Sequence, residues 1–122
     1  MRWTVIRERF DRDVAILYPR GEKTLRENEH LVYDRIRRLV ESKHVKIVLN
    51  LADLPSLDSD GLAEVVDGYK AVTPAGGVMT LCAAGPRIRD LLRLTKLTTI
   101  VKVFASEREA LENLGAASQA NV

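Results

Sequence analysis

The chain has 122 residues, 46% hydrophobic and 30% charged, and its 19 Lys and Arg against 17 Asp and Glu leave a net charge of +2. That length suits one domain around one hydrophobic core, and the near balance of charge excludes the strong basic excess of a dedicated nucleic-acid binder. No run of apolar residues is long enough to insert in a membrane, and the charged start MRWTVIRERF does not read as a secretory signal, so the expected location is the cytoplasm.

The chain opens with two short strand candidates, Val5 to Phe10 and Val14 to Tyr18, joined by the charged turn Asp11-Arg12-Asp13 and expected to pair as a hairpin. Pro19-Arg20-Gly21 is expected to end the second strand. From Leu25 the apolar spacing becomes helical: Leu25, Leu31, Val32, Ile36, Leu39 and Val40 trace one side, with a stop near Ser42-Lys43. The basic run RIRRL on this stretch reads as a solvated helix face.

Val45 to Leu51 (VKIVLNL) then reads as a central strand covered by helices. Asp53-Leu54-Pro55-Ser56 is loop chemistry, and Asp58 or Ser59 can cap a helix whose apolar positions are Leu62, Val65, Val66, Tyr69 and Val72. TPAGG breaks that helix. VMTLCA is the next strand, GPRIRDLLRLT a short helix after Pro86, and TIVKVF a final strand. SEREALENL is the last helix, with Ser106 and Glu109 in a capping-box pattern. The order β-β-α-β-α-β-α-β-α describes an α/β domain with a mixed central sheet and about four helices. Residues 1–116 are expected to form it, with 117–122 a flexible tail.

The usual catalytic and metal-binding patterns are absent from the sequence. His30 and His44 fall in no metal-ligand spacing, and the single Cys82 reads as a buried strand residue rather than a reactive thiol. There is no glycine-rich phosphate loop, and LDSDGL is not the elbow of a serine hydrolase. No catalytic residue, metal or cofactor is expected. What remains is a helix start rich in carboxylates, which can satisfy the first backbone amides and complement the helix dipole.

The stretch VLNLADLPSLDSDGLAEVVDGYKAV resembles the core motif of the STAS domain family, named for sulfate transporters and anti-sigma factor antagonists. The matching residues are Asp53, then Asp58, Ser59, Asp60, Gly61 and Leu62. The Gly76-Gly77 turn and LLRLTKLTTIVKVFASEREAL resemble the family's second half, so the likeness runs over residues 4–114. The resemblance implies a non-enzymatic, protein-binding regulator of transcription. Its implied partner is an anti-sigma factor with a kinase-like domain, which phosphorylates the second hydroxyl of the motif to weaken binding.

Here Asp60 stands at that phosphoacceptor position, one fixed charge where a phosphate would carry about −1.5 to −2. Ser59 is the one hydroxyl within DSDGL that could take a phosphate. The implied contact surface is Leu57 to Leu62 with Glu22 and Thr24 from the turn after the second strand. At that turn Gly21-Glu22 is followed by Lys23 and Thr24 where the family often has an aspartate. The alternative that the resemblance leaves open is a STAS subunit of a transport or lipid-trafficking complex.

Overall fold

The computed structural model describes residues 2–22 and 31–120. Strands β1 (Arg2–Asp11) and β2 (Val14–Glu22) form an antiparallel hairpin, followed by α1 (Leu31–Glu41), β3 (Lys46–Asn50), α2 (Ser59–Val72), β4 (Val78–Cys82), α3 (Pro86–Leu94), β5 (Val103–Phe104) and α4 (Glu107–Ala120). The sheet order is β1-β2-β3-β4-β5, with β2 through β5 parallel. This is the α/β architecture with a mixed sheet and four helices expected from the pattern. The expected start of the first helix at Leu25 lies outside the described residues.

Alternation along the strands divides the interior into two cores. Ala15 and Leu17 of β2, Ile47 and Leu49 of β3, and Met79 and Leu81 of β4 face α1, α2 and α3, and with Val32, Ile36, Val65, Ile88 and Leu92 they make the larger core. Val14, Ile16, Val48 and Cys82 face the other way, where Ala110 and Leu114 of α4 cover them. Cys82 is fully buried there, as expected of a strand residue.

Three local differences from the sequence pattern have physical causes. Pro19 does not end β2, which runs on to Glu22 with Pro19 opposite Ile6. Pairing of β2 with β3 stops at Leu17, so the proline amide is missing from a stretch with one neighbour rather than two. In the expected strand TIVKVF only Val103 and Phe104 pair with β4. Leu97–Thr99 form a tight 3-10 turn in which Thr99 Oγ1 donates to the Lys96 carbonyl (2.6 Å), so a local hydrogen bond wins over β propensity. The buried side of α2 comprises Gly61, Glu64, Val65, Gly68 and Val72, with Leu62, Val66 and Tyr69 only partly buried. That face is rotated toward the glycines because α1 packs so close that a Cβ on Gly68 would meet Ile36 Cδ1 at 2.6 Å.

Helix ends follow the local chemistry. His44 N–H donates to the Leu39 carbonyl (2.8 Å) past a left-handed Lys43 (φ 66°), closing α1 close to the expected stop. At the start of α4, Ser106 Oγ accepts from Glu109 N–H (3.2 Å). Glu109 Oε2 accepts from Ala105 N–H (3.3 Å), one residue before the reciprocal partner of an ideal capping box.

The two glycines of the turn before β4 do different work. Gly76 takes a left-handed conformation (φ 80°), whereas a Cβ on Gly77 would run into the Val45 carbonyl oxygen and lie 2.6 Å from Val45 Cβ. Gly77→Ala should therefore destabilise the fold by about 1–3 kcal/mol, the usual cost of overpacking, read as a lower urea midpoint at unchanged slope. An unaltered midpoint would show that β3 and β4 can part at that point without cost.

Candidate functional site

The motif loop leaves the carboxyl end of β3 at Asn50. Leu51 N–H donates to the Cys82 carbonyl (2.9 Å), and Leu54 N–H to the Leu51 carbonyl (3.1 Å). Leu51 and Leu54 are buried in the larger core and Leu57 packs against it, so three leucines hold the loop down between polar, exposed neighbours such as Asp53.

Asp58 ends the loop in an extended conformation and caps α2: its Oδ1 accepts from Gly61 N–H at 2.7 Å. Its main-chain carbonyl accepts from Leu62 N–H (3.0 Å), the first turn of the helix. Of the two cap residues left open by the sequence, Asp58 is the one used. Ser59 and Asp60 are exposed in the first turn, Gly61 is buried beneath them, and Leu62 reaches back to the core. The structure thus gathers Leu57 to Leu62 at one corner. Glu22 ends β2 at the same end of the sheet where Asn50 ends β3, since those strands run parallel. Thr24 lies outside the described residues.

Two further acids were not singled out by sequence reasoning. Glu64 is buried on α2, and its Oε1 accepts from the Tyr33 main-chain N–H (3.0 Å) in the first turn of α1, supplying an acceptor to another helix. A glutamate within an otherwise apolar or small-residue stripe was the available signal. Glu107, first residue of α4, accepts from Tyr18 Oη (2.6 Å) and Asn50 Nδ2 (3.1 Å) through Oε1, and from Arg9 (2.6 Å) through Oε2. Arg9 Nε also donates to Tyr18 Oη (3.1 Å), and the Arg7 guanidinium lies 4.5 Å from the centre of the Tyr18 ring. Nothing local in the sequence signals this cluster, because it joins β1, β2, β3 and α4.

The electrostatics follow from those contacts. Partial burial works against the Glu107 charge, but hydrogen bonds from Tyr18, Asn50 and Arg9, with the Arg9 charge, hold its carboxyl below the usual carboxylate range. Burial and the hydrogen bond to Glu107 push the Tyr18 phenol up. Burial, with a smaller contribution from the Glu107 charge, pushes the Cys82 thiol up to about 12, which leaves it unreactive at neutral pH. No group of three or more His, Cys, Asp or Glu able to hold a metal ion occurs among the described residues, and none of their helices is long and apolar enough to cross a membrane.

Comparison with known proteins gives consistent matches over nearly the whole chain. The family model for the STAS domain matches residues 6–110. A Thermotoga neapolitana protein named as a candidate anti-sigma factor antagonist is 36% identical over 106 residues, covering 84% of this chain and 90% of that protein. The crystal structure of a candidate anti-sigma factor antagonist from Thermotoga maritima has a TM-score of 0.80 at 31% identity, covering 88% of this chain and 92% of that one. The phosphorylated form of the Bacillus cell fate determinant SpoIIAA shares the fold, with a TM-score of 0.70 at 18% identity over 90% of this chain and 99% of that one.

Two measurements check this description. Asp58→Ala should lower stability by about 1 kcal/mol while Asp58→Asn costs little, since asparagine also caps well; equal effects in urea melts would remove the capping role. Because the Glu107 pKa is depressed on folding, its contribution is complete above the unfolded carboxylate value of about 4.3 and is lost as pH falls through the lower folded value. Glu107→Gln should therefore flatten the acid limb of the stability–pH curve, and a limb of unchanged slope would contradict the assignment.

Proposed function

Because the chain belongs to the STAS domain family, we propose that it is an anti-sigma factor antagonist whose binding surface starts at Asp58 and whose switching charge is fixed as Asp60. The chain is a non-enzymatic regulator: it works by what it binds. The partner is an anti-sigma factor with a kinase-like domain, which places the interaction in the cytoplasm. The surface comprises Leu57 to Leu62 with Glu22, the last residue of β2, and Thr24, which follows it in sequence.

The observation that carries this reading is the separation of roles at the start of α2. Asp58 turns its side chain onto the helix amide of Gly61, whereas Asp60, two residues on in the first turn of α2, is exposed. A carboxylate there is favoured by the helix dipole and presents negative charge where a hydroxyl in related proteins would gain it by phosphorylation. One carboxylate has one charge and two oxygens, less than a phosphate offers, so the mimicry is partial. The antagonist is accordingly held in a weakened, unswitched state rather than an abolished one.

Calorimetry of the chain and of Asp60→Ser against the anti-sigma factor tests this. The variant should bind about tenfold more tightly, the scale of one charge-dependent contact. With ATP and the kinase-like partner it should then take up phosphate and lose that gain, while the unaltered chain takes up none. Equal affinities would remove Asp60 from the switch, and phosphate on Ser59 of the unaltered chain would overturn the fixed-charge reading.

A further inference from the structure

We propose that Glu107 and Asn50 act together as positioning residues for the motif loop, setting the path of the chain from β3 to Asp58 from the opposite face of the sheet. Asn50 is the last residue of β3 and shares the face of Val48, which α4 covers. Its side chain is used at both ends: Nδ2 donates to Glu107 Oε1 (3.1 Å), and Oδ1 accepts from Ala52 N–H (2.9 Å).

The chemistry allows the amide one orientation only. A carboxylate is an acceptor, so it demands the NH2 end of Asn50; the carbonyl end is thereby turned to the Ala52 amide, which needs an acceptor. Reversing the amide would set oxygen against carboxylate and NH2 against N–H. Glu107 is held in turn by Tyr18 and Arg9 (both 2.6 Å), so its oxygens are fixed by strands β1 and β2. The first step of the loop after Asn50 is therefore dictated by a helix that follows the motif by more than forty residues in sequence. Glu107 and α4 lie across the sheet from α2, so the effect on α2 passes through residues 50–58.

The importance of this positioning for partner binding rests on the surface proposed above; the positioning itself does not. NMR of the isolated chain gives the first readout, the Ala52 amide proton. In Glu107→Ala and in Asn50→Ala this proton should move upfield and exchange with solvent about tenfold faster, relative to the buried amides of β3, as expected for a lost hydrogen bond. Glu107→Gln, which keeps one carbonyl acceptor, should recover part of the effect, and Glu112→Gln on the same helix should leave Ala52 unmoved. The double variant Glu107→Ala/Asn50→Ala should be no worse for Ala52 than either alone, a non-additivity that general destabilisation would not produce.

An unmoved Ala52 proton in Glu107→Ala, or additive effects in the double variant, would overturn the proposal. The second readout is calorimetric binding of the anti-sigma factor. Weaker binding by both Asp58→Ala and Glu107→Ala supports the positioning and the surface together. If Ala52 responds as stated but neither variant changes binding, the positioning stands and the assignment of the surface fails.

Discussion

The arrangement depends on the two-sided pairing of β3. It is hydrogen-bonded in parallel to β2 and β4, and Ile47, Val48 and Leu49 are completely buried. Parallel strands must return by crossover helices, so the carboxyl ends of β2, β3, β4 and β5 gather at one end of the sheet, and α2, α3 and α4 each begin there. The register fixes more than strand contacts. A slip of one residue would exchange the faces of Leu49 and Asn50, placing an amide in the larger core and removing the partner of Glu107. The position of the motif and the integrity of the polar cluster behind it are consequences of the same pairing.

Around the start of α2 three carboxylates have three distinct employments. Asp58 is engaged by its own helix, Glu64 by the first turn of α1, and Asp60 is directed to the exposed side. Asp58 supplies the acceptor that the Gly61 amide would otherwise lack. The bond is made by the residue before the helix, so the start of α2 at Ser59 rests on Asp58. Glu64 extends the consequence to α1, since a buried carboxylate on α2 that accepts a main-chain amide of α1 ties the two helices at the end nearest the motif.

The order of strands and helices, the hairpin, the buried Cys82 and the helix start at Asp58 were legible because each rests on local periodicity or local cap chemistry. β5 was less so: its β-branched run reads as strand, yet Lys96 at φ 61° and the Thr99 hydroxyl turn the chain before Val103 can pair. The apolar positions Leu62, Val65, Val66, Tyr69 and Val72 all meet the core, but its most buried strip also takes in Gly61, Glu64 and Gly68, which hydrophobicity does not mark because the two glycines fill it with backbone. The motif itself could be read as six consecutive residues. Its support could not, because Glu107 meets Tyr18 across 89 positions and Arg9 across 98, and only the folded sheet brings them together.

The two faces of the sheet are unequal, and the inequality gives the Glu107 cluster its weight. The larger core carries three helices and most of the buried apolar side chains, whereas the α4 face has a small cluster and a buried Thr80 hydroxyl with no hydrogen-bond partner among the described residues. A buried hydroxyl without a partner costs free energy, so apolar contact alone holds α4 less firmly than α2. Near its first turn the deficit is offset by bonds from three strands to one carboxylate. The attachment of α4 is thus most concentrated at the end where the motif loop departs, and Asn50 belongs to both. A change that loosens Glu107 acts where the weaker face of the protein and the path to Asp58 share a side chain.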